Sequence, residues 1–145
     1  NVKLVRGFLK EKLGAWMAGL AAEAKGGVGD GVVALLQTCA HARAPLSPED
    51  AIYTSKFFWT LHELGVSSFP TLAYVRRVSE LSAPLLFAVT EQEASNLSMF
   101  FRDVLSVLVR WMKDAGAYKR EAAGKPGLLR KPAAPAPAPA KMEEE

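Results

Sequence analysis

The fold is decided by the stretch Thr-Glu-Gln-Glu-Ala-Ser at residues 90–95, which begins the longest helical pattern in the chain. Thr90 and Glu93 have the spacing of a capping box, in which each side chain binds the backbone N–H of the other residue. We predict that the helix extends to Glu121 and ends before Gly124 and Pro126. A helix of about 30 residues is a rod of roughly 45–50 Å, a length that suggests a scaffold.

An apolar stripe follows this start at spacings of three and four residues, as on one face of an α-helix. Its members are Leu97, Phe101, Val104, Leu105, Leu108, Trp111, Met112 and Ala115. The other side carries the polar residues Arg102, Ser106, Arg110, Lys113 and Asp114. We predict that the stripe is buried and that Arg110 and Asp114 pair at their i, i+4 spacing.

Composition indicates one folded unit. A chain of 145 residues with 50% hydrophobic content can bury one core, and we expect a helical domain over residues 1–124. Cys39 is the single cysteine, so it cannot form an internal disulfide, and we predict that it lies in the core. His41 alone does not make a metal site beside it.

The chain begins with Asn1, already inside a helical pattern, and we expect it to be a fragment of a longer protein.

Targeting signals are not evident in the sequence. No charged leader with a following apolar run precedes the first helix, so we expect a reducing compartment rather than secretion. No apolar run approaches the roughly 18 residues of a membrane span, and we expect no membrane partner.

The first helical pattern covers residues 2–25 and is weakened by Gly7, Gly14 and Gly19. The whole chain carries a formal charge of +3, with a pI near 9.1, and basic residues gather at its front. Lys3, Arg6 and Lys10 share one flank of this helix. They are either a site of phosphate contact with RNA or an ordinary solvated face, and we favour the second interpretation.

The glycine-rich residues 26–31 are predicted to be a flexible hinge. A nucleotide-binding loop would need a preceding strand and a Gly-Lys-Ser/Thr ending, and the sequence has neither. Asp30 is then a predicted N-cap for a short helix over residues 32–39.

Two further helices are predicted in the middle of the chain. Ser47 and Pro48 form a helix start, and Gly65 ends that helix. His62 has no partner for acid–base catalysis in the sequence, so we predict a packing or capping role for it.

Ser68-Phe69-Pro70 begins the next predicted helix by the same reasoning, and Pro84 is expected to kink it. Residues 85–89 are apolar and have no strand to pair with, so they are interpreted as a continuation of the helix.

The composition changes at residues 125–145, where alanine and proline alternate before three terminal glutamates. We predict a disordered spacer with polyproline II character. Pro132 and Pro135 have the spacing of a ligand for proline-binding modules, which is a weak signal.

The sequence therefore predicts an all-α fold of stacked antiparallel helix pairs, α-solenoid-like or an irregular bundle, with one long C-terminal helix and a disordered tail. No catalytic residue, metal ligand or cofactor site is predicted. The acids Glu91, Glu93, Asp103 and Asp114 are interpreted as helix caps and surface partners rather than a catalytic pair.

A block of motifs resembles the THO complex subunit 2 family. It comprises Thr90-Glu91-Gln92-Glu93-Ala94-Ser95, Phe100-Phe101, Leu105, Arg110-Trp111, Asp114, Tyr118 and Lys119-Arg120-Glu121. The preceding helices resemble the family at Ser47, Asp50-Ala51-Ile52-Tyr53, Phe57, His62, Phe69, Thr71-Leu72 and Arg77-Val78. The similarity runs from about Trp16 to Glu121. By this resemblance Thr90, Glu93, Phe101, Leu105, Leu108 and Trp111 are the structural core of the family motif.

The resemblance implies a non-enzymatic α-solenoid scaffold subunit of the nuclear THO complex within TREX, which couples transcription and mRNA processing to mRNA export. Its implied partners are other THO/TREX subunits, a DEAD-box RNA helicase, export adaptors and, in the assembled complex, mRNA. No small-molecule substrate is implied. The family's nucleic-acid-binding tail is replaced here by the Ala-Pro stretch, so RNA binding by the tail does not transfer. The alternative is a generic α-helical adaptor that holds a partner helix and has no link to RNA.

Overall fold

The computed structural model describes residues 1–23 and 28–128, and it describes residues 20–23 and 28–30 by their backbone alone. Helix α1 covers residues 2–23, as Val2–Phe8, the π-helical turn Leu9–Leu13, and Gly14–Glu23. Helix α2 covers residues 28–43, as Val28–Leu35, the π-helical turn Leu36–Ala40, and His41–Arg43. The remaining helices are α3 (Pro48–Leu64), α4 (Thr71–Phe87), α5 (Glu91–Lys113) and α6 (Ala115–Glu121). The described residues contain no strand, and the predicted all-α class is confirmed.

Local capping signals place the starts of α3 and α5 as predicted. The Ser47 hydroxyl accepts a hydrogen bond from the Asp50 backbone N–H at 3.0 Å, with Pro48 in the first turn. The Thr90 backbone N–H donates to the Glu93 carboxylate at 2.8 Å, and the Glu93 N–H donates to the Thr90 hydroxyl at 3.4 Å. The capping box is therefore confirmed. Gly65 ends α3 with a left-handed backbone (φ 64°), which glycine adopts without steric cost.

The start of α4 differs from the prediction. Pro70 occupies the N-cap position without a side-chain cap, and Ser68 instead donates a hydrogen bond to the Gly14 carbonyl of α1 at 2.9 Å. Pro84 lies inside α4, which continues to Phe87, so the predicted helical continuation after Pro84 is confirmed that far.

The glycine-rich segment is more helical than predicted. Helix α2 begins at Val28, so Asp30 lies inside the helix and is not its N-cap. Gly26 and Gly27 lie outside the described residues. Burial explains the difference, because α2 places Val32, Leu35 and Leu36 in the core, and tertiary packing outweighs the weak helix propensity of glycine. Cys39 is half-buried against this core.

The predicted continuous rod from Thr90 to Glu121 is wrong, because the chain breaks at Asp114. Asp114 has an extended backbone (φ −126°, ψ 100°), and its carboxylate accepts a hydrogen bond from the Gly116 N–H at 2.8 Å. It therefore caps a new helix, α6, which returns toward α5. The predicted pair between Arg110 and Asp114 is also wrong, since Arg110 binds Glu121 instead.

The core lies around α3, which packs directly against α5, while α1 packs on α2 and α2 packs on α4. Phe58 of α3 is fully buried and stacks on Tyr74 of α4 with ring centroids 4.8 Å apart. In the described segments, no helix combines the length and apolarity needed to cross a bilayer.

The buried face of α5 is rotated from the predicted stripe. The apolar residues that it buries are Leu97, Phe100, Val104 and Trp111. Leu105 is 51% exposed and Met112 is 86% exposed, so their predicted burial is wrong, and Ala115 is exposed as well. Phe101 and Leu108 are half-buried at the edge of the core. Apolar residues occur on two sides of α5, and periodicity alone cannot tell which side meets the core.

Candidate protein-interaction site

The end of the family-like motif forms a junction at Glu121. The Trp111 indole N–H donates a hydrogen bond to the Glu121 carboxylate at 2.8 Å, and Arg110 donates to the same oxygen at 2.6 Å. The Trp111 hydrogen bond is the largest cause that lowers the pKa of the Glu121 carboxyl below its usual value. The ionised carboxylate therefore fixes α6 against the last turns of α5.

His62 of α3 joins the same junction from the other side. Its Nε2 lies 3.0 Å from the Glu121 backbone carbonyl, and its Nδ1 lies 2.7 Å from the Thr71 hydroxyl of α4. Because a carbonyl only accepts, Nε2 carries the proton and Nδ1 accepts from Thr71. Burial lowers the pKa of His62, which agrees with a neutral ring. The predicted packing role of His62 is confirmed.

Aromatic rings complete the junction. Trp111 lies edge-on to Trp59 of α3, with centroids 5.5 Å apart, and edge-on to Tyr118 of α6 at 6.2 Å. The His62 ring is 5.2 Å from the Trp111 ring. The residues that carry the resemblance at this end of the motif are therefore used for contacts within the chain. The contact between Trp59 and Trp111 was not predicted, because the two residues lie far apart in the sequence.

A cleft of about 640 Å³ opens beside this junction between α3, α5 and α6. Its cationic side chains are Lys56, Arg110, Arg120 and Lys125. Each of them has an internal partner: Asp103 for Lys56 at 2.9 Å, Glu121 for Arg110 at 2.6 Å, Asp114 for Arg120 at 3.9 Å, and the Glu63 carbonyl for Lys125 at 2.6 Å. The positive charge of the cleft is therefore largely balanced within the chain. In the part of the chain that the structure describes, no group of acids, histidines and cysteines is placed to hold a metal ion.

The three basic residues that we interpreted as either a phosphate-contacting flank or, preferably, a solvated face lie on α1, but they are not equivalent. Arg6 forms an ion pair with Glu63 of α3 at 3.0 Å. Lys3 and Lys10 are exposed. Lys10 falls in the π-helical turn, which changes its angular position relative to Arg6.

The outer face of α5 carries an open apolar groove, here called the α5 groove. It is lined by Leu86, Ser98, Phe101, Arg102, Leu105, Ser106 and Val109. Met112 follows on the same face of α5, and Phe87, which is 93% exposed, ends α4 next to Leu86. We predicted Leu105 and Met112 to be buried, and the structure instead exposes Leu105 in the groove and Met112 one turn beyond Leu108 and Val109, past its end.

This arrangement defines a class of protein. An all-α body whose polar motif residues bind one another, and whose outer helix carries an open apolar groove, is typical of helical protein-interaction modules.

The chain belongs to the THO complex subunit 2 family. Residues 1–143 match the family described as "Transcription factor/nuclear export subunit protein 2". The chain is 31% identical over 98 residues to THO complex subunit 2 of Homo sapiens, and 29% identical over 118 residues to that of Saccharomyces cerevisiae.

These alignments cover 68% and 81% of this chain, respectively. They cover only 6% of the human relative and 7% of the yeast relative, so the chain corresponds to a small part of either protein. No solved structure matches the chain.

Proposed function

We propose that the chain is part of a non-enzymatic scaffold subunit of a nuclear THO complex, which within TREX couples transcription and mRNA processing to mRNA export. The observation that carries the proposal is the family match over residues 1–143. The contacts of Trp111, Glu121 and His62 support it, because these motif residues bind one another and hold helices together. Motif residues that hold helices together are what a rigid scaffold needs.

The proposed partners are other THO/TREX subunits, a DEAD-box RNA helicase and export adaptors, with mRNA present in the assembled complex. Lys3 and Lys10 are the residues of the α1 flank that we propose for a weak RNA contact, since Arg6 is held by Glu63. On this proposal, the chain binds mainly other proteins and contacts RNA only weakly.

Purification of the full-length protein, tagged at its own locus, from nuclear extract tests the proposal. We expect THO subunits to co-purify with the parent and with a Leu72→Ala control, at an exposed leucine of α4 away from the junction, and to be reduced with Trp111→Ala, which disrupts the junction. Depletion of the protein should retain polyadenylated RNA in the nucleus, as seen by in situ hybridisation. A cytoplasmic protein that brings down no THO subunit would contradict the proposal.

The second candidate is a generic α-helical adaptor with no link to RNA, and the α5 groove is the observation that favours it. The same depletion experiment separates the two candidates. An adaptor of this kind leaves the distribution of polyadenylated RNA unchanged, whereas a THO scaffold does not.

A further inference from the structure

The α5 groove has the dimensions of a site for one helix. From Ser98 to Met112 the exposed face of α5 spans four turns, which is roughly 21 Å at the rise of an α-helix. Leu105 and Val109 lie one turn apart on this face, and Leu86 and Phe101 form the side toward α4. A partner helix of about 14 residues can place apolar side chains at i, i+4 and i+7 along such a surface.

The charged side chain in the lining of the α5 groove is basic. Arg102 lines the groove and is exposed, and Lys113 follows Met112 at the far end of α5. Among the described residues that line the groove, none is acidic. Asp103, the neighbour of Arg102, is turned toward α3, where its carboxylate binds Ser55 at 2.7 Å and Lys56 at 2.9 Å. The apolar surface therefore has Arg102 in its lining and Lys113 beyond its far end, and no carboxylate lines it among the described residues.

We propose that the α5 groove binds an amphipathic helix of another protein, with apolar residues at i, i+4 and i+7 and acidic residues along its rim. The apolar contacts supply affinity. The acidic residues of the partner face Arg102 and Lys113, and this charge complementarity selects the partner. The inference rests on the proposed scaffold function and names the surface that performs it.

Charge also argues against a second copy of this chain as the occupant. The exposed apolar end of α1, formed by Val2, Leu4, Val5 and Phe8, is a second apolar helix surface among the described residues. Lys3 lies within that segment and is exposed, so docking it on the groove brings a like charge toward Arg102. The apolar lining of the groove likewise offers few donors to phosphate.

Two designed peptides test the inference by fluorescence anisotropy. Both are 18-residue helices with leucine at i, i+4, i+7 and i+11, one with glutamate and the other with lysine along the rim. We expect the glutamate peptide to bind the parent at least about tenfold more tightly than the lysine peptide. Raising the salt concentration should reduce this preference, because exposed charges are screened.

Matched variants assign the binding to the groove. Leu105→Asp should weaken the glutamate peptide by about tenfold or more, whereas Leu72→Asp, at an exposed leucine of α4 outside the groove, should not. Arg102→Glu should remove the preference for glutamate, whereas Lys119→Glu in α6 should preserve it. Circular dichroism of each variant verifies that it is folded.

Three results would overturn the inference. They are no binding of either peptide, equal binding of both, and binding that survives Leu105→Asp in a folded protein. A parent dimer in sedimentation analysis that Leu105→Asp dissociates would assign the groove to a second copy instead. Co-purification with THO subunits is a separate readout: if it persists while both peptides fail, the groove inference fails and the proposed function stands.

Discussion

The indole N–H of Trp111 donates a hydrogen bond to the carboxylate of Glu121, ten residues further along the chain, at 2.8 Å. An unbroken helix would place these residues about 15 Å apart along its axis. The break at Asp114 folds α6 back and brings them together. Arg110, from the same turn as Trp111, binds the same carboxylate oxygen, so the two helices are joined by a charged three-residue contact.

Trp111 is therefore expected to be a major source of stability. It is 8% exposed and packs on Trp59, His62 and Tyr118. Trp111→Ala should lower the free energy of unfolding by about 3–5 kcal/mol, through lost burial and a cavity. Urea denaturation measured by circular dichroism checks this value.

Met112 is the control for this prediction, because it is the next residue and is 86% exposed. Met112→Ala should change the free energy of unfolding by no more than about 0.5 kcal/mol. If the two variants unfold at the same urea concentration, the junction does not stabilise the fold as we describe.

Stability should depend on pH through His62. Burial lowers its pKa in the folded chain below the ordinary 6.5, so the unfolded chain binds more protons as the pH falls through that value. The free energy of unfolding is then fully retained above about pH 6.5 and decreases below it. Protonation also forces Nδ1 to donate, which breaks its acceptance from Thr71.

A His62→Gln variant should lose most of this slope between pH 7.5 and 5.5, in urea titrations at each pH. Burial lowers the pKa of His41 as well, so His41→Gln is the necessary control. The lowered pKa of the Glu121 carboxyl acts at lower pH, where the carboxylate becomes protonated and stability falls further. An unchanged slope in His62→Gln would contradict the assignment.

Gly127 should be intolerant of a side chain. Its φ is 80°, and a Cβ built on it would lie 2.8 Å from Pro70 Cα, a backbone atom that cannot move aside cheaply. Gly124 has a similar φ of 81° but open space around it. Gly124→Ala should therefore show only the cost of the left-handed backbone, about 1–2 kcal/mol, and Gly127→Ala should be clearly less stable in thermal melts. Equal melting temperatures would show that the close approach to Pro70 is relieved.

We propose that the helical domain extends past Gly124 to Leu128, because residues 125–128 contact the core. The Thr71 N–H donates to the Pro126 carbonyl at 3.0 Å, and Lys125 donates to the Glu63 carbonyl at 2.6 Å. Leu128 is partly buried against the core. We predict that truncation after Leu128 leaves the melting temperature unchanged, whereas truncation after Gly124 lowers it. The predicted disorder of residues 129–145 lies outside the described residues and stays a prediction.

Helix starts could be predicted from sequence because they depend on neighbours in the chain. Ser47 and Thr90 form the expected caps, since each needs only a backbone N–H three residues away. The Asp114 break has a local signal too, an Asp two residues before Gly116, but the strong apolar pattern on both sides concealed it.

The junction and the groove could not be predicted, because both depend on which helices meet. His62 contacts Glu121 across 59 residues of sequence, and no local pattern encodes that contact. Leu105 and Val104 are adjacent and both apolar, yet α3 covers only the face that contains Val104. Tertiary packing decides which of two apolar faces becomes core and which becomes a binding surface.

RNA binding by the α1 flank should be weak and should depend on Lys3 and Lys10. Two phosphate contacts to single-stranded RNA predict a slope of log affinity against log salt of roughly −0.7 × 2, or about −1.4, because Arg6 is held by Glu63. Labelled oligo-U is titrated at several salt concentrations with the parent, Lys3→Glu/Lys10→Glu, and a Lys113→Glu/Lys119→Glu control of equal net charge. Binding should be lost in the α1 variant and kept in the control. Binding that survives the α1 charge reversal, with a steeper dependence of log affinity on log salt, would assign RNA contact to another surface. It would also contradict the proposal that the chain binds mainly proteins.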